Sequence, residues 1–225
     1  MSHAGLSADL RAGTKALGLQ LTDESLTRLL DYLGLLQKWN RVYNLTAVRD
    51  PAQMLRQHLL DSLAVIQPLQ RMLQLRGAPA SPRLLDVGSG GGLPGVVLAI
   101  ACPALHVTCV DAVAKKSAFV RQVASSLQLQ NLDAVHARVE TLLGKFDVVC
   151  SRAFAALPDF VNWTSGLVGE GGCWMAMKGQ RPAEEIAALP DTVRMFHVEQ
   201  LVVPDLDAQR CIAWLEPSPH QGGPV

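Results

Sequence analysis

The sequence lacks an excess of charge of either sign. Its 225 residues contain 20 lysines and arginines against 20 aspartates and glutamates, and only 18% of the residues are charged. No positive field around the whole molecule therefore indicates a nucleic-acid partner, so any such binding has to come from a local group of basic residues. With 49% hydrophobic residues, the chain has enough apolar side chains to build a full core.

Long apolar runs and targeting signals are also missing. No apolar run reaches the length needed to cross a bilayer. The first residues, Met1-Ser-His-Ala-Gly-Leu6, lack a basic stretch followed by an apolar core. We therefore expect no membrane partner and a cytoplasmic location.

The cysteines lack the spacing of a metal site. They lie in or beside apolar runs, with no Cys-x-x-Cys pair and no histidine cluster nearby. This arrangement indicates reduced, buried thiols rather than zinc ligands or disulfides, and we expect no metal. The five are Cys102, Cys109, Cys150, Cys173 and Cys211.

The first eighty residues contain no convincing strand. Leucines recur at helical spacing after Thr22, a candidate N-cap, and Asp50-Pro51 combines a cap residue with proline at the first helical position. A turn-rich segment, Gly77-Ala-Pro-Ala-Ser-Pro82, follows. The predicted organisation is an N-terminal helical segment packed on the core at 1–80, a second domain at 81–217 and a flexible tail at 218–225.

Beyond residue 82, β-rich runs alternate with helical ones, which predicts an α/β fold with a parallel sheet and helices on both faces. The predicted strands are 83–88, 106–111, 132–136, 146–151 and 172–178, and the predicted helices are 93–101, 114–128, 157–168 and 182–188. Two further β-rich runs, 193–203 and 209–216, have no helix between them. They predict an antiparallel hairpin at the edge of the sheet.

A glycine-rich turn follows the first predicted strand. Gly88 and Gly90 allow a tight turn and let a ligand approach the backbone closely. The window Gly90-x-Gly-x-x-Gly95 satisfies the dinucleotide fingerprint, but Pro94 lies where that helix should already pack. The frame Asp86-x-Gly-x-Gly-x-Gly resembles the first motif of class I, Rossmann-like methyltransferases that bind S-adenosylmethionine. Asp86 suits a cofactor that carries an ammonium and a sulfonium group.

A second carboxylate ends the next predicted strand, Val107-Thr-Cys-Val-Asp111. In a βαβ unit, a carboxylate at this position can accept hydrogen bonds from both ribose hydroxyls of a nucleoside cofactor. Asp111 can also serve as an N-cap for the following helix, and the glycine turn can simply tighten its connection. Together, the turn and the two carboxylates favour S-adenosyl-L-methionine over NAD as the cofactor.

The end of the predicted fourth strand narrows the range of substrates. It reads Cys150-Ser-Arg-Ala-Phe154 and not the Asn/Asp-Pro-Pro-aromatic sequence of many enzymes that methylate exocyclic amines. A cytosine C5 enzyme needs a thiolate nucleophile, typically in Pro-Cys. This chain has Cys102-Pro103 on a connection and Cys150 in a strand. Covalent catalysis is therefore not expected.

Six segments together carry a family resemblance. They are Trp39-Asn-Arg-Val-Tyr-Asn-Leu-Thr46, Arg49-Asp-Pro51, His58-Leu-Leu-Asp-Ser62, Asp86-Val-Gly-Ser-Gly-Gly-Gly-Leu-Pro-Gly95, Ser151-Arg-Ala-Phe-Ala155 and Lys178-Gly-Gln180. Over roughly residues 20–215, the chain resembles the 16S ribosomal RNA guanine-N7 methyltransferases, also called small-subunit methyltransferase G or glucose-inhibited division protein B. The resemblance implies S-adenosylmethionine-dependent methylation of guanine N7 in 16S ribosomal RNA of the small subunit, in the 530-loop region.

The resemblance also implies roles for particular residues. The implied cofactor contacts, besides Asp86, Gly90 and Asp111, are Gly88, Leu93, Val139, Glu140 and Arg152, with the adenine near Val139 and Glu140. Activity or RNA contact is implied for Asn44, Lys115, Lys116, Arg138, Arg152 and Lys178; of these we take Arg152, Lys178 and Asn44 as the candidate catalytic residues. Two positions depart from the family: Gly91 replaces a usual proline, and Lys116 replaces a common arginine with a point charge.

Some of these residues have plainer interpretations. Lys115 and Lys116 open a helix, where the helix dipole disfavours cations, so their presence there needs another reason. Arg138 and Glu140 can form a solvated surface pair. His58 lies on a largely apolar helix and is interpreted as an interior or capping histidine rather than a catalyst.

Two aromatic side chains could in principle stack on a base. Trp39 and Tyr43 occur at helical spacing with Leu36, however, and this spacing favours their interpretation as core residues.

Guanine N7 presents its own lone pair, so an in-line methyl transfer needs no general base and no covalent enzyme intermediate. We expect catalysis by positioning, with Arg152, Lys178 and the Lys115-Lys116 pair on phosphates and Asn44 on a base edge. We also expect a monomer. Three alternatives remain open: methylation of a small molecule or protein, a noncatalytic S-adenosylmethionine-binding module, and a nicotinamide oxidoreductase.

Overall fold

A computed structural model describes residues 3–218, which form one sheet with helices on both of its faces. The helices are α1 (His3–Ala16), α2 (Asp23–Tyr43), α3 (Pro51–Met54), α4 (Asp61–Leu63), α5 (Ile66–Leu75), α6 (Gly95–Ala101), α7 (Ala114–Ser126), α8 (Leu157–Thr164) and α9 (Ala183–Ala187), with a π-helical segment at Leu55–Leu60 and 3-10 turns at Val139–Thr141 and Ser165–Leu167. The strands are β1 (Arg83–Val87), β2 (His106–Asp111), β3 (Leu132–His136), β4 (Phe146–Arg152), β5 (Val168–Lys178), β6 (Val193–Leu201) and β7 (Arg210–Pro217). Most of the predicted flexible tail lies outside the described residues.

The seven strands lie in the order β3-β2-β1-β4-β5-β7-β6. Strands β1 to β5 pair in parallel, whereas β7 runs antiparallel to both β5 and β6. The predicted parallel sheet and C-terminal hairpin are therefore confirmed. Within the hairpin, β7 pairs with β5, so β6 forms the outer edge.

Alternation of side chains along the strands builds two hydrophobic cores, one on each face of the sheet. On β1, the fully buried Leu84 belongs to the first core and the fully buried Leu85 to the second. The first core takes side chains from α1 to α7, and the second takes Phe160 and Val161 from α8. Successive side chains of a strand point to opposite faces of the sheet. Because both sets are apolar here, both faces need a cover of helices.

Two predicted helix starts in the N-terminal segment are confirmed. Thr22 Oγ1 accepts a hydrogen bond from the backbone N–H of Ser25 at 3.1 Å, and Asp50 accepts one from the backbone N–H of Gln53 at 2.9 Å. Helices α1 to α5 share the first core with the sheet. A domain boundary at residue 80 stays a prediction.

The thiols are free, and four of the five are buried, as predicted; Cys102 is partly exposed. Burial raises the pKa of the Cys150 thiol well above its usual value, so this group is protonated at neutral pH. Among residues 3–218, no helix is long and apolar enough to span a membrane. Over the same range, no cluster of three or more histidine, cysteine or acidic side chains is arranged to hold a metal ion.

Candidate active site

Two cavities open at the carboxyl edge of the parallel strands and meet at Ala153. The first, which we call the glycine-loop cavity, has a volume of about 330 Å³ and is lined by residues that follow β1, β2, β3 and β4. The second, the β4–β5 cavity, has a volume of about 340 Å³ and lies between the ends of β4 and β5 and the N-terminal helices. Ligands of open α/β sheets collect at this edge.

Ala153 lines both cavities and has a φ of 52°. A residue with a Cβ atom reaches this left-handed conformation at a cost of about 1 to 2 kcal/mol. Such strain persists only where the surroundings hold it, and it concentrates at functional sites. The junction of the two cavities is therefore the candidate site of the reaction.

The glycine loop between β1 and α6 depends on conformations that favour glycine. Gly88 has a φ of 64°, and a Cβ atom on it would lie 2.2 Å from the ring of Phe154. Gly90 has a φ of 57°, and its backbone N–H donates to Asp111 Oδ2 at 3.0 Å. The predicted tight turn is confirmed, and Gly88 lines the glycine-loop cavity.

Asp111 joins the loop to the helix that follows β2. Besides the bond from Gly90, its Oδ1 accepts from the backbone N–H of Val113 at 2.8 Å, and Lys116 Nζ lies 3.6 Å from Oδ2. The carboxylate therefore holds the local turn, but the interpretation of Asp111 as the N-cap of α7 was wrong, because Val113 occupies that position. Each oxygen still has one acceptor site, and Asp111 lines the cavity, so contact with a ribose stays a prediction.

Asp86 lies beneath the loop and does not line the glycine-loop cavity. It has no exposed surface, and its Oδ2 accepts from the backbone N–H of Gly95 at 2.8 Å, at the start of α6. Burial raises the pKa of Asp86 to about 7. Here Asp86 holds the loop to α6, and its contact with a cofactor remains a prediction. Leu93 is likewise buried and outside this cavity.

Gly91, one of the two positions that depart from the resembled family, is held from the N-terminal segment. The hydroxyl of the fully buried Tyr32, on α2, donates to Gly91 O at 2.6 Å. Leu36, one turn later on α2, lies 3.0 Å from where a Cβ atom on Gly91 would be. These contacts tether the loop to α2.

The loop after β3 supplies the opposite wall of the glycine-loop cavity. Arg138, Val139 and Glu140 line it, together with Lys116 from α7. Arg138 pairs with Glu140 at 2.7 Å, and its side chain is 74% exposed, so the predicted solvated pair is present. The structure thus brings four predicted residues together, while their contact with cofactor or RNA stays a prediction.

Arg152, at the end of β4, is held by the N-terminal segment. One guanidinium nitrogen donates to Gln57 O at 3.1 Å and to Asp61 Oδ2 at 2.9 Å. Arg210, at the start of β7, donates to Asp61 Oδ1 at 2.8 Å. Asp61 thus joins two arginines that lie 91 and 149 residues away in the sequence. All three line the β4–β5 cavity.

Lys178, at the end of β5, also has partners within the protein. Its ammonium donates to Glu185 Oε2 at 2.8 Å and to Ala155 O at 3.1 Å. Glu185 Oε2 also accepts from the backbone N–H of Leu157 at the start of α8. Lys178 therefore fixes α8 and α9 to the end of β5, and its predicted phosphate contact stays a prediction.

Among the residues predicted to act in catalysis or to contact RNA, two lie outside both cavities. Asn44 is the C-cap of α2, with a φ of 49°, and its side chain is exposed. Lys115 is exposed in the first turn of α7. Neither lines the glycine-loop cavity or the β4–β5 cavity. A role for Asn44 on a base edge and for Lys115 on a phosphate remains predicted.

His58 is an interior histidine, as predicted, but only one of its nitrogens is satisfied. Nε2 lies 2.8 Å from Thr46 Oγ1, whereas Nδ1 is buried without a partner among the described residues. Burial, with the nearby positive charge of Arg152, lowers the pKa of His58 to about 4, so the ring is neutral at pH 7. His58 lines the β4–β5 cavity.

The two aromatic residues Trp39 and Tyr43 of α2 differ in burial. Trp39 packs against the first core and lies 5.4 Å, centroid to centroid, from Phe119, as a core residue should. Tyr43 is 39% exposed, so its interpretation as a core residue was wrong, because it lies on the last turn of α2 beyond the sheet's cover. Trp39 and Tyr43 contact each other at 5.1 Å.

Sequence reasoning assigned no role to several cavity residues. Asp61, Arg210, Phe154 and Trp163 line one cavity or the other. Asp61 and Phe154 did stand within segments that carried the family resemblance, which was the available signal. Arg210 and Trp163 stood in no motif, and only the folded chain brings them to the site.

A family model described as rRNA small subunit methyltransferase G, or GidB, matches residues 25–213. The chain belongs to this family. Two relatives carry the name ribosomal RNA small subunit methyltransferase G: one from Paracidovorax citrulli is 61% identical over 219 residues, covering 94% of this chain and 90% of the relative. The other, from a Polaromonas species, is 60% identical over 211 residues and covers 94% and 93%.

Two solved structures of proteins with low sequence identity share this fold. The N-methyltransferase NodS from Bradyrhizobium japonicum, in complex with S-adenosyl-L-homocysteine, has a TM-score of 0.57 at 11% identity, covering 81% of this chain and all of that one. TrmN from Thermus thermophilus has a TM-score of 0.55 at 20% identity, covering 73% and 53%. The fold is that of class I S-adenosylmethionine-dependent methyltransferases, as predicted.

Proposed function

We propose that this protein is an S-adenosylmethionine-dependent methyltransferase that methylates the N7 atom of a guanine in 16S ribosomal RNA. The target lies in the 530-loop region, by family resemblance, and the substrate is the small ribosomal subunit. The observation that carries the proposal is the meeting of two cavities at Ala153, in a chain of the small-subunit methyltransferase G family. One cavity suits a nucleoside cofactor, and its neighbour suits a base.

The residues of the glycine-loop cavity fit S-adenosylmethionine. Gly88 lines the cavity, and its lack of a side chain makes room for the ring of Phe154, while the Asp111 carboxylate is suited to ribose hydroxyls. Val139 and Glu140 are suited to the adenine, with Arg152 near the methyl end. When bound, the cofactor supplies an electrophilic methyl group. No pyrophosphate has to be neutralised, which favours this cofactor over NAD.

The chain's own residues contribute position rather than acid–base or nucleophilic chemistry. Guanine N7 needs no general base, and the buried thiols of Cys109 and Cys150 have pKa values raised by burial, so neither is a thiolate nucleophile. Holding N7 about 3 to 3.5 Å from the methyl carbon can supply roughly 7 to 11 kcal/mol. The rigid contacts of Arg152 and Lys178 serve that purpose by fixing the walls of the β4–β5 cavity.

Contacts with RNA are proposed for exposed basic residues at the mouth of the cavities. Lys115, Lys116 and Arg138 lie around the loops after β2 and β3, and Arg138 and Lys115 are exposed. Because the net charge is zero, such local contacts have to supply the phosphate binding. We also propose that the protein acts as a monomer in the cytoplasm, where small subunits are found.

The test supplies labelled S-adenosylmethionine and the full-length protein to small subunits that lack the modification, and then maps the labelled base. We expect one labelled guanine, modified at N7, in the 530-loop region. Labelling of another nucleotide or of protein would replace this substrate, and binding without transfer would favour a noncatalytic module. A thermal-shift series with S-adenosylmethionine and NAD tests the identity of the cofactor. Only S-adenosylmethionine should raise the Tm of the protein.

A further inference from the structure

The β4–β5 cavity combines apolar walls with a few buried polar groups. Met177, Leu201 and Cys211 supply apolar surface, while His58 and Asp61 supply polar atoms from the N-terminal segment. Its volume of about 340 Å³ lies in the range of small-molecule sites, which bind by apolar contact and a few convergent hydrogen bonds. A planar, largely apolar ligand with polar edges suits such a cavity.

Asp61 is the polar group with capacity left for a ligand. Its side chain is 3% exposed, and each oxygen accepts one hydrogen bond from an arginine, Arg152 on one side and Arg210 on the other. A carboxylate offers about four acceptor sites, so two remain. The arginines hold the carboxylate in one orientation without using all of its acceptors.

His58 is a second buried polar group in the wall of this cavity. Its ring is 7% exposed, lines the same cavity, and leaves Nδ1 without a hydrogen-bond partner among the described residues. Buried polar atoms are nearly always paired, and an exception calls for an explanation such as a missing ligand atom or water. Because Nδ1 exposes no surface to the cavity, it is not itself a contact for a ligand there.

The cations of this cavity are already paired within the protein, which leaves few free donors for a phosphate. The two arginines share the Asp61 carboxylate, and Lys178 is paired with Glu185. A phosphate would have to break these pairs and lie against the buried Asp61 carboxylate, with the repulsion of like charges. The cavity therefore suits the base of a nucleotide, and the phosphates belong outside it.

We propose that the β4–β5 cavity receives the target guanine and that Asp61 identifies it by accepting hydrogen bonds from its N1–H and N2–H groups. The proposal rests on the proposed function. With N7 directed toward Ala153 and the glycine-loop cavity, the N1 and N2 edge points away from it, into the β4–β5 cavity. Enzymes that modify a base commonly extrude it and read this edge. Adenine offers no hydrogen at N1 and no N2 amine, so it cannot satisfy a carboxylate there.

The same contact favours the transition state. As the N7–carbon bond forms, the carbon–sulfur bond breaks, its electron pair stays with sulfur, and one positive charge passes to the guanine ring. The N1–H and N2–H groups become stronger donors as this charge develops, so their bonds to Asp61 strengthen along the reaction. Asp61 is in this way a specificity residue whose effect appears in turnover as well as in binding.

The experiment compares two substrates and two enzymes. Small subunits are reconstituted with guanosine or with inosine at the nucleotide mapped above; inosine keeps N7 and N1–H but lacks the N2 amine. Each is methylated by the wild-type protein and by Asp61→Asn under saturating cofactor. Asp133→Asn, an exposed carboxylate on β3, is the matched control. Melting curves and S-adenosylmethionine affinity establish that each variant is folded.

We expect the wild type and Asp133→Asn to methylate inosine subunits about 10- to 100-fold more slowly than guanosine subunits, the range for losing a hydrogen bond to a charged acceptor. Asp61→Asn should methylate guanosine subunits slowly and show a much smaller difference between the two substrates. An equal inosine penalty in wild type and Asp61→Asn, or no penalty in wild type, would overturn the proposal. If turnover of Asp61→Asn is too slow to follow, competition binding of the two subunit preparations gives the same ratio.

The outcomes also separate this proposal from the proposed function. If the wild-type protein fails to methylate guanosine subunits at all, the proposed function is wrong and Asp61 has no guanine to read. If it methylates them but Asp61→Asn keeps the full preference for guanosine over inosine, the function stands and the assignment of Asp61 is wrong.

Discussion

At the scale of single residues, Asp111 combines a structural and a predicted binding role in one carboxylate. It accepts hydrogen bonds from the backbone N–H groups of Gly90 and Val113, so it shapes the loop that a cofactor would contact. Replacing Asp111 by Ala removes both bonds and the predicted ribose contact. We expect S-adenosylmethionine to bind about 10- to 100-fold more weakly, as calorimetry would measure. Unchanged affinity in a folded Asp111→Ala protein would remove this residue from the site.

Asp86 should make stability depend on pH. Burial raises its folded pKa to about 7 from 3.8, so the folded state holds this proton more tightly than the unfolded chain. Its stabilising contribution is present below pH 4 and is lost as the pH rises from about 4 to 7. In Asp86→Asn, which keeps an oxygen acceptor for Gly95, we expect that loss to disappear.

The measurement is the free energy of unfolding of wild type and Asp86→Asn between pH 4 and 8, without cofactor. The difference between the two proteins should change by at most about 1.4 kcal/mol per pH unit. His58 acts in the opposite sense, because its folded pKa is lowered to about 4 and its contribution is lost as the pH falls from 6.5 to 4. Both proteins contain His58, so it cancels in the difference. Parallel pH curves would show that Asp86 does not titrate in this range.

At the scale of elements, α2 reaches the glycine loop through one hydrogen bond. The Tyr32 hydroxyl donates to the buried carbonyl of Gly91, and Tyr32→Phe would leave that carbonyl unpaired. We expect the free energy of unfolding, measured in denaturant, to fall by about 1 to 3 kcal/mol. Cofactor affinity should also fall, because the loop is less well held. Tyr43→Phe, at the exposed end of the same helix, is the control and should change neither quantity. Equal effects of the two variants would mean that the tether does not support the loop.

The sequence predicted elements well where a local pattern determines them. β2 and β3 match their predicted limits, because turn residues on both sides bound these short β-rich runs. β5 begins four residues earlier than predicted, at Val168, through a glycine-rich stretch that carries little strand signal. The π-helical segment at Leu55–Leu60 was not predicted, since it depends on how the N-terminal helices pack and not on a sequence period.

The position of the candidate site was predicted from the sequence, but the ion pairs within it were not. The glycine loop and Asp111 follow from strand ends, which parallel strands bring to one edge. The partners of Arg152 and Lys178 could not be predicted, because Asp61 and Glu185 come from other elements and no spacing rule joins them. As a result, two residues expected on phosphates are instead held by carboxylates of the protein.

At the scale of the whole molecule, the absence of net charge makes the salt dependence of RNA binding informative. Each phosphate contact adds roughly 0.9 to the slope of log affinity against log salt for a duplex, and somewhat less for single strands. Lys115 is exposed beside the glycine-loop cavity and is free to meet a phosphate, whereas Lys178 is already paired with Glu185. We therefore expect Lys115→Ala to weaken small-subunit binding and to lower this slope by about 1.

Lys178→Ala should instead leave the slope unchanged and slow methylation, because it releases Glu185 and the start of α8 from the wall of the β4–β5 cavity. Binding of labelled small subunits across a salt series, and methyl transfer at one salt concentration, measure the two effects on the same proteins. A lower slope for Lys178→Ala would mean that this lysine leaves Glu185 for a phosphate when RNA binds. In that case the β4–β5 cavity would open toward the RNA backbone, and the pairing of its cations that favours a base in it would hold only in the free protein.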